Sequence, residues 1–279
     1  MSAADSHRFQ GKVVIVTGAS KGVGLMAARG FAAEGAHVVL SARSPGPLKA
    51  ARQSLPRPED ALVVKADMAN LKDAERLIKE TIKKFGRIDV LVNNAGYNAR
   101  GDLEEVALKD VLHILDVNLR APIAMAKLAL PHLQKTGGAI VNVASIAGCV
   151  PVPEEATYSA TKAALRWFSM ALHEEVAAEG VRVSVVSPGP IDTDFIMNSI
   201  DEVPDLVFSQ PMCTPEEVAA LIVERSVDGA RESKIRASSG FLATFAYIFP
   251  GVRRALLPTL RKKGARIKAR LKKERGLSA

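Results

Sequence analysis

The chain is poor in cysteine and in anything that reads as a targeting or membrane segment. Its two cysteines, Cys149 and Cys213, stand far apart without a CxxC pair. That excludes a disulfide scaffold and reads as reduced intracellular thiols. None of the five histidines, His7, His37, His113, His132 and His173, has the spacing of a metal-ligand set, so no metal site is expected. Met1 to Lys12 is short and polar, and no run reaches the ~18 apolar residues of a membrane span. A cytoplasmic protein is expected. Residues 8–240 contain no internal repeat and no low-complexity linker, and the 48% hydrophobic, 24% charged composition excludes disorder and collagen.

Acidic residues are scarce at one end only. Residues 253–279 hold eleven Lys/Arg against Glu274 alone, a net +10, while the other 252 residues carry 27 basic and 29 acidic side chains, a net −2. The overall +8 therefore belongs to an appendage, which disfavours nucleic-acid binding as the main function, and no specific nucleic-acid partner is expected.

What is present is a repeated unit: a short β-branched run, a turn, then a helical pattern. The runs are 13–16, 37–40, 62–64, 88–92, 139–143 and 181–186, and their continuous apolar character marks strands covered on both faces. Helical stretches follow at about 23–34, 70–84, 105–135 and 157–179, then 214–228, with a weak seventh strand at Lys234 to Ser238. Strict alternation gives a doubly wound α/β parallel sheet, with function at the carboxyl ends of the strands. One domain over 8–240 is expected, followed by an apolar and then basic extension over 241–279 in which Pro250 and Pro258 act as breakers.

Directly after the first strand comes Thr17-Gly18-Ala19-Ser20-Lys21-Gly22-Val23-Gly24, opening the first helix. Glycines there let the backbone curl tightly and approach a pyrophosphate, while the helix N-terminus supplies N–H donors and positive dipole. Asn93-Asn94-Ala95-Gly96 ends the fourth strand, Ser145 ends the fifth, and Tyr158 and Lys162 lie four apart on one helix face. From about Gly11 to Thr193 the chain thus resembles the short-chain dehydrogenase/reductase family. The resemblance implies a Rossmann-type dinucleotide fold, a nicotinamide cofactor and carbonyl/alcohol chemistry.

Several site residues follow. An acid on the ribose 2′-hydroxyl would favour NAD, but the second strand ends Ala42-Arg43; Arg43, with Lys21 on the same side, favours the 2′-phosphate of NADP(H). Asp67 resembles the family's adenine-contacting acid, or is an early helix N-cap. Asn93 and Gly96 are cofactor-proximal, although Asn93 would equally brace the sheet. Pro188, Gly189, Ile191 and Thr193 match the loop on the nicotinamide side.

For carbonyl reduction a proton must reach the oxygen beside the ring. Tyr158 supplies it, Lys162 favours the phenolate and holds the nicotinamide ribose, and Ser145 orients the carbonyl oxygen. The resemblance adds Asn118, which interrupts a helix and holds a water linking Lys162 to solvent. Substrate contacts are expected from Ile146 to Thr157 and from Phe195 to Met212, whose apolar side chains either close over a greasy carbonyl compound or only pack the lid. In the tail, Leu260, Ile267 and Leu271 fall near one helical face among cations, as in a helix on an anionic membrane surface or a solvated tail. A homodimer through the 105–135 and 157–179 helices, or the homotetramer usual in the family, is expected. The competing reading is a noncatalytic NADP-binding scaffold that uses its tail to hold a partner, against which the complete Ser145, Tyr158, Lys162 and Asn118 set argues.

Overall fold

A computed structural model of the chain describes residues 7–236 and 245–276. Seven strands form one parallel sheet in the order β3-β2-β1-β4-β5-β6-β7. They are β1 (Val13–Thr17), β2 (His37–Ala42), β3 (Leu62–Lys65), β4 (Val90–Asn93), β5 (Ala139–Val143), β6 (Arg182–Val186) and β7 (Glu232–Ser233). The order reverses between β1 and β4, so their carboxyl ends open a crevice there.

Helices cover both faces. On one lie α1 (Gly22–Ala33), α2 (Pro45–Gln53) and α8 (Pro215–Asp228); on the other lie α3 (Leu71–Phe85), α4 (Leu108–Leu115), α5 (Ala121–Thr136) and α6 (Ala156–Glu175). The strands read as unbroken apolar runs because successive residues serve opposite layers. Val14 and Val16 pack with Phe31, Leu48 and Ile222, whereas Val13 and Ile15 pack with Leu77, Met125 and Leu133.

Three expectations need correction, and one helix carried no expectation: in α2, Pro45 occupies the first helical position, where a missing N–H costs nothing. The expected 105–135 helix is α4 and α5 joined by a five-residue π turn, Asp116–Arg120. The last strand is β7 at Glu232–Ser233 rather than Lys234 to Ser238, of which 237 and 238 lie outside the described residues. Pro258 does not break the tail: it lies inside α9 (Pro250–Glu274), on an exposed face where water can take the carbonyl that lost its N–H partner. The apolar run at 241–244 and the expected domain boundary at 240/241 also fall outside the described residues.

The apolar seam of α9 is not turned outward. Ile267 and Leu271 pack on Ile196, Met197, Ile200, Val203 and Phe208, the buried cluster beneath the segment after β6 that contains the short α7 (Asp194–Met197). A membrane-surface helix needs its apolar seam free, so Ile267 and Leu271 are not available to such a surface. Among the described residues no helix is long and apolar enough to cross a membrane.

Candidate active site

At the crevice the β1 and β4 ends are tied together. Asn94 and Ala95 each donate a backbone N–H to Thr17 Oγ1, both at 3.0 Å, and Asn94 Nδ2 donates to the Thr17 carbonyl at 2.9 Å. Gly18 has φ +67, and a Cβ on it would lie 2.9 Å from the Ala95 Cα. A Cβ on Gly24 would lie 2.4 Å from the Gly18 carbonyl oxygen. Only glycine allows the turn to fold back this tightly on α1. The N-terminus of α1 has no capping side chain and no acid in its first turn, so its N–H donors are open to an anion.

This turn is one end of a cleft of about 990 Å³. Gly18, Ser20, Lys21, Gly22 and Val23 line it, as do Arg43, Asp67, Gly96, Ser145, Tyr158, Lys162, Pro188, Gly189, Ile191 and Thr193. Gly24 stands behind the turn. Arg43 is exposed at the rim with no protein partner among the described residues, while Lys21 is drawn to Asp194 at 3.0 Å. Of the two cations expected at a 2′-phosphate, only Arg43 is unengaged. Asp67 borders the cleft and accepts from the Ala69 N–H at 3.0 Å, and the N-cap of α3 is Asn70.

Asn93 departs from its expected cofactor-side position. It is buried, and its amide donates to Asn142 Oδ1 at 2.8 Å, whose own amide donates to Ser169 Oγ at 2.9 Å. The side chain alternates to the interior of the sheet and braces β4, β5 and α6; Asn94, one residue on, faces the cleft.

Ser145 follows β5 and Tyr158 lies in the first turn of α6, with Lys162 one turn later. Lys162 is buried, and its Nζ donates to the Val143 carbonyl at 2.9 Å and lies 5.6 Å from the Tyr158 ring centre. Burial lowers the Lys162 ammonium to about 8. Tyr158 is pushed up to about 12, chiefly by loss of hydration and then by Glu155; the hydrogen bond with Ser145 and the charge of Arg100 act in the opposite sense. The phenol is therefore held protonated at neutral pH, and Lys162 alone does not bring it into range.

Asn118 does not line the cleft. It is buried in the π turn, accepting from the Tyr97 N–H and donating to the Tyr97 carbonyl, each at 2.8 Å. A Cβ on Gly96 would lie 3.7 Å from Asn118 Oδ1 and 3.9 Å from Lys162 Nζ, so the two side chains meet across that glycine.

Two groups had no sequence signal. Arg100 and Glu155, both nearly buried, form an ion pair at 3.1 Å; Arg100 also donates to Ser199 Oγ and stacks on Phe195, whose ring lies 6.5 Å from that of Tyr158. Their partners are 55 and 95 or more residues away, and no local pattern announces such a pairing. The other group is Val252, Leu256, Leu257 and Leu260 of α9, which border the cleft from a segment read as lying outside the domain.

A protein-family model described as short chain dehydrogenase matches residues 12–203. L-fucose dehydrogenase of Mus musculus is 38% identical over 187 residues, covering 67% of each chain. Meso-2,3-butanediol dehydrogenase of Serratia marcescens is 36% identical over 228 residues, 80% of this chain and 90% of that one. Among solved structures, L-sorbose reductase from Gluconobacter frateurii, complexed with NADPH and L-sorbose, has a TM-score of 0.74 at 31% identity, covering 82% of this chain and 96% of that one.

The depressed Lys162 value has a consequence for stability. Below about pH 8 the folded protein buries a charge; between about 8 and 10.5 the unfolded chain holds the proton and the folded one does not, so stability rises with pH across that window. Lys162→Met is expected to melt above the wild type at pH 7, with the gap narrowing from pH 8 upward, as followed by circular dichroism at several pH values.

Proposed function

This chain belongs to the short-chain dehydrogenase family, whose members interconvert alcohols and carbonyls, and we propose that it is an NADPH-dependent reductase of an apolar ketone or aldehyde. The observation that carries the reading is the meeting of Ser145, Tyr158 and Lys162 at the carboxyl end of the sheet, on the same cleft as the glycine cradle. A noncatalytic scaffold has no use for a phenol, a hydroxyl and a buried ammonium so placed.

The residues fit a nicotinamide dinucleotide phosphate. The turn at Gly18 to Val23 and the uncapped α1 N-terminus would hold the pyrophosphate, the unpaired Arg43 the 2′-phosphate, Asp67 and Gly96 the adenosine side, and Pro188, Gly189, Ile191 and Thr193 the nicotinamide side. When bound, NADPH supplies a hydride to the carbonyl carbon. Ser145 orients the carbonyl oxygen, and Tyr158, held protonated, gives it the proton. The Lys162 ammonium, 5.6 Å from the ring, stabilises the phenolate left behind and would hold the nicotinamide ribose. Asn118 spends its side chain on Tyr97. Its carbonyl, four residues before Pro122 and so without an α-helical N–H partner, is the group left to hold a water toward Lys162.

Apolar preference is supported by Phe195, Val203, Leu206 and Val207 along the cleft. For the assembly we propose a homodimer, or a homotetramer built from two such dimers. Leu108, Leu112 and Leu115 are exposed on one face of α4, and Trp167 of α6 is 65% exposed.

Tyr158→Phe is expected to lower carbonyl-dependent NADPH oxidation by more than about 100-fold while NADPH affinity, read by fluorescence titration, stays nearly unchanged. Activity with any member of a carbonyl panel separates the reductase from the scaffold. Arg43→Asp places a carboxylate beside the 2′-phosphate and is expected to shift the NADPH-to-NADH ratio of kcat/KM toward NADH by about tenfold or more, each tenfold being about 1.4 kcal/mol. Wild-type protein equally active with both cofactors would refute the Arg43 assignment. Light scattering should give the mass of a dimer or tetramer for the wild type and a smaller one for Leu112→Arg.

A further inference from the structure

The C-terminal helix α9 crosses the substrate end of the cleft. Its first turns present Val252, Leu256, Leu257 and Leu260 to the same space that Tyr158 and Ser145 face. Its middle rests on the segment after β6 through Gly264, where a Cβ would fall 1.8 Å from the Asp205 carbonyl oxygen, so no other residue permits this approach.

The basic charge of the helix meets both walls of the chamber. On one wall, Arg253 donates to the Pro151 carbonyl and Arg261 pairs with Glu154 at 3.7 Å. On the other, Lys268 donates to the carbonyls of Asp201 at 3.0 Å and Val203 at 2.7 Å and pairs with Asp205, Lys272 pairs with Asp201 at 2.7 Å, and Arg275 pairs with Asp192. Four of these cations thus bridge the two segments from which substrate contacts were expected, and Arg275 holds the loop just before the second. These pairs are exposed and individually weak, so the buried seam of Ile267 and Leu271 supplies the docking and the cations supply register.

We propose that α9 is the roof of the substrate chamber and that Leu256, Leu257 and Leu260 select a bulky, uncharged, apolar carbonyl compound over small or polyhydroxylated ones. The inference deepens the reductase reading and rests on it. These leucines offer no hydrogen-bond partner, so a sugar hydroxyl brought against them would be desolvated without compensation. A naphthyl-sized ring would bury its apolar surface there while its carbonyl stays at Tyr158.

The test uses the full chain with 2-acetylnaphthalene, 2-butanone and L-sorbose. The wild type is expected to favour 2-acetylnaphthalene over the other two by at least about 100-fold in kcat/KM, within the range that buried apolar contacts give. Leu256→Ser combined with Leu257→Ser should lower that ratio by about tenfold or more, mainly through KM. Gly264→Leu, which lifts the helix without touching the chamber, should do the same and leave turnover of 2-butanone unchanged. NADPH binding and a melting curve check that each variant is folded. A ratio that stays within twofold of wild type in both variants, or a wild type that prefers L-sorbose, would overturn the proposal. Binding of 6-acetyl-2-(dimethylamino)naphthalene, read from the blue shift of its emission, gives a readout independent of turnover. If no carbonyl is reduced by the wild type, the reductase reading fails; a blue shift lost in Gly264→Leu then still supports the roof, and an unchanged shift refutes it.

Discussion

The close approach of two strand ends governs this molecule. At the point where the sheet order reverses, β1 and β4 must diverge to open a crevice, yet their backbones must stay near enough for the turn after β1 to pass beneath the chain after β4. Thr17 resolves the conflict by accepting two N–H groups from the other strand's extension with one hydroxyl, and Asn94 returns its amide to the Thr17 and Gly18 carbonyls. Polar groups that a widening crevice would leave unpaired are thereby satisfied locally. With them fixed, the N-terminus of α1 points at the cleft.

The catalytic side depends on a second buried polar arrangement. Asn93, Asn142 and Ser169 form a chain from β4 through β5 to α6, and Ser169 closes it on the Leu165 carbonyl. This chain sits two turns along α6 from Lys162, and each side chain in it uses its neighbour as partner, so sliding α6 along the sheet would orphan several buried groups at once. It therefore sets the height at which Tyr158 and Lys162 emerge. The cost of keeping Lys162 charged in that position falls on the stability of the fold, and the return is a cation beside the phenol at neutral pH.

The legible parts of the sequence were those whose cause is local. Strand runs such as Val13–Val16 betray two-sided burial without reference to any partner, and the glycines at 18, 22 and 24 announce a turn because their geometry admits little else. Asn93 was ambiguous because a strand residue and the one after it face opposite sides, and type alone does not say which of two adjacent asparagines turns inward. The two tail prolines misled. Pro250 opens a helix and Pro258 lies within one, since the lost N–H matters only where the freed carbonyl is buried. Arg100 with Glu155, and α9 with the lid, depend on contacts between distant segments, which no window of sequence contains.

The tail shows how a charge count can be accurate and still point the wrong way. A net +10 over 27 residues reads as attraction to an external polyanion only if the chain's own acids are evenly spread. Here Glu154, Asp192, Asp201 and Asp205 stand on the segments against which α9 lies, and five of the eleven cations are spent on those segments. Since exposed pairs contribute about 0–1 kcal/mol each and are screened by salt, they could not hold the helix alone; their role is to fix which residues of an already docked apolar face look into the chamber. A segment that composition marks as an appendage is by geometry the fourth wall of the substrate site. Of the six remaining cations, all exposed, Arg270 pairs with Glu274 within the helix and the other five face solvent.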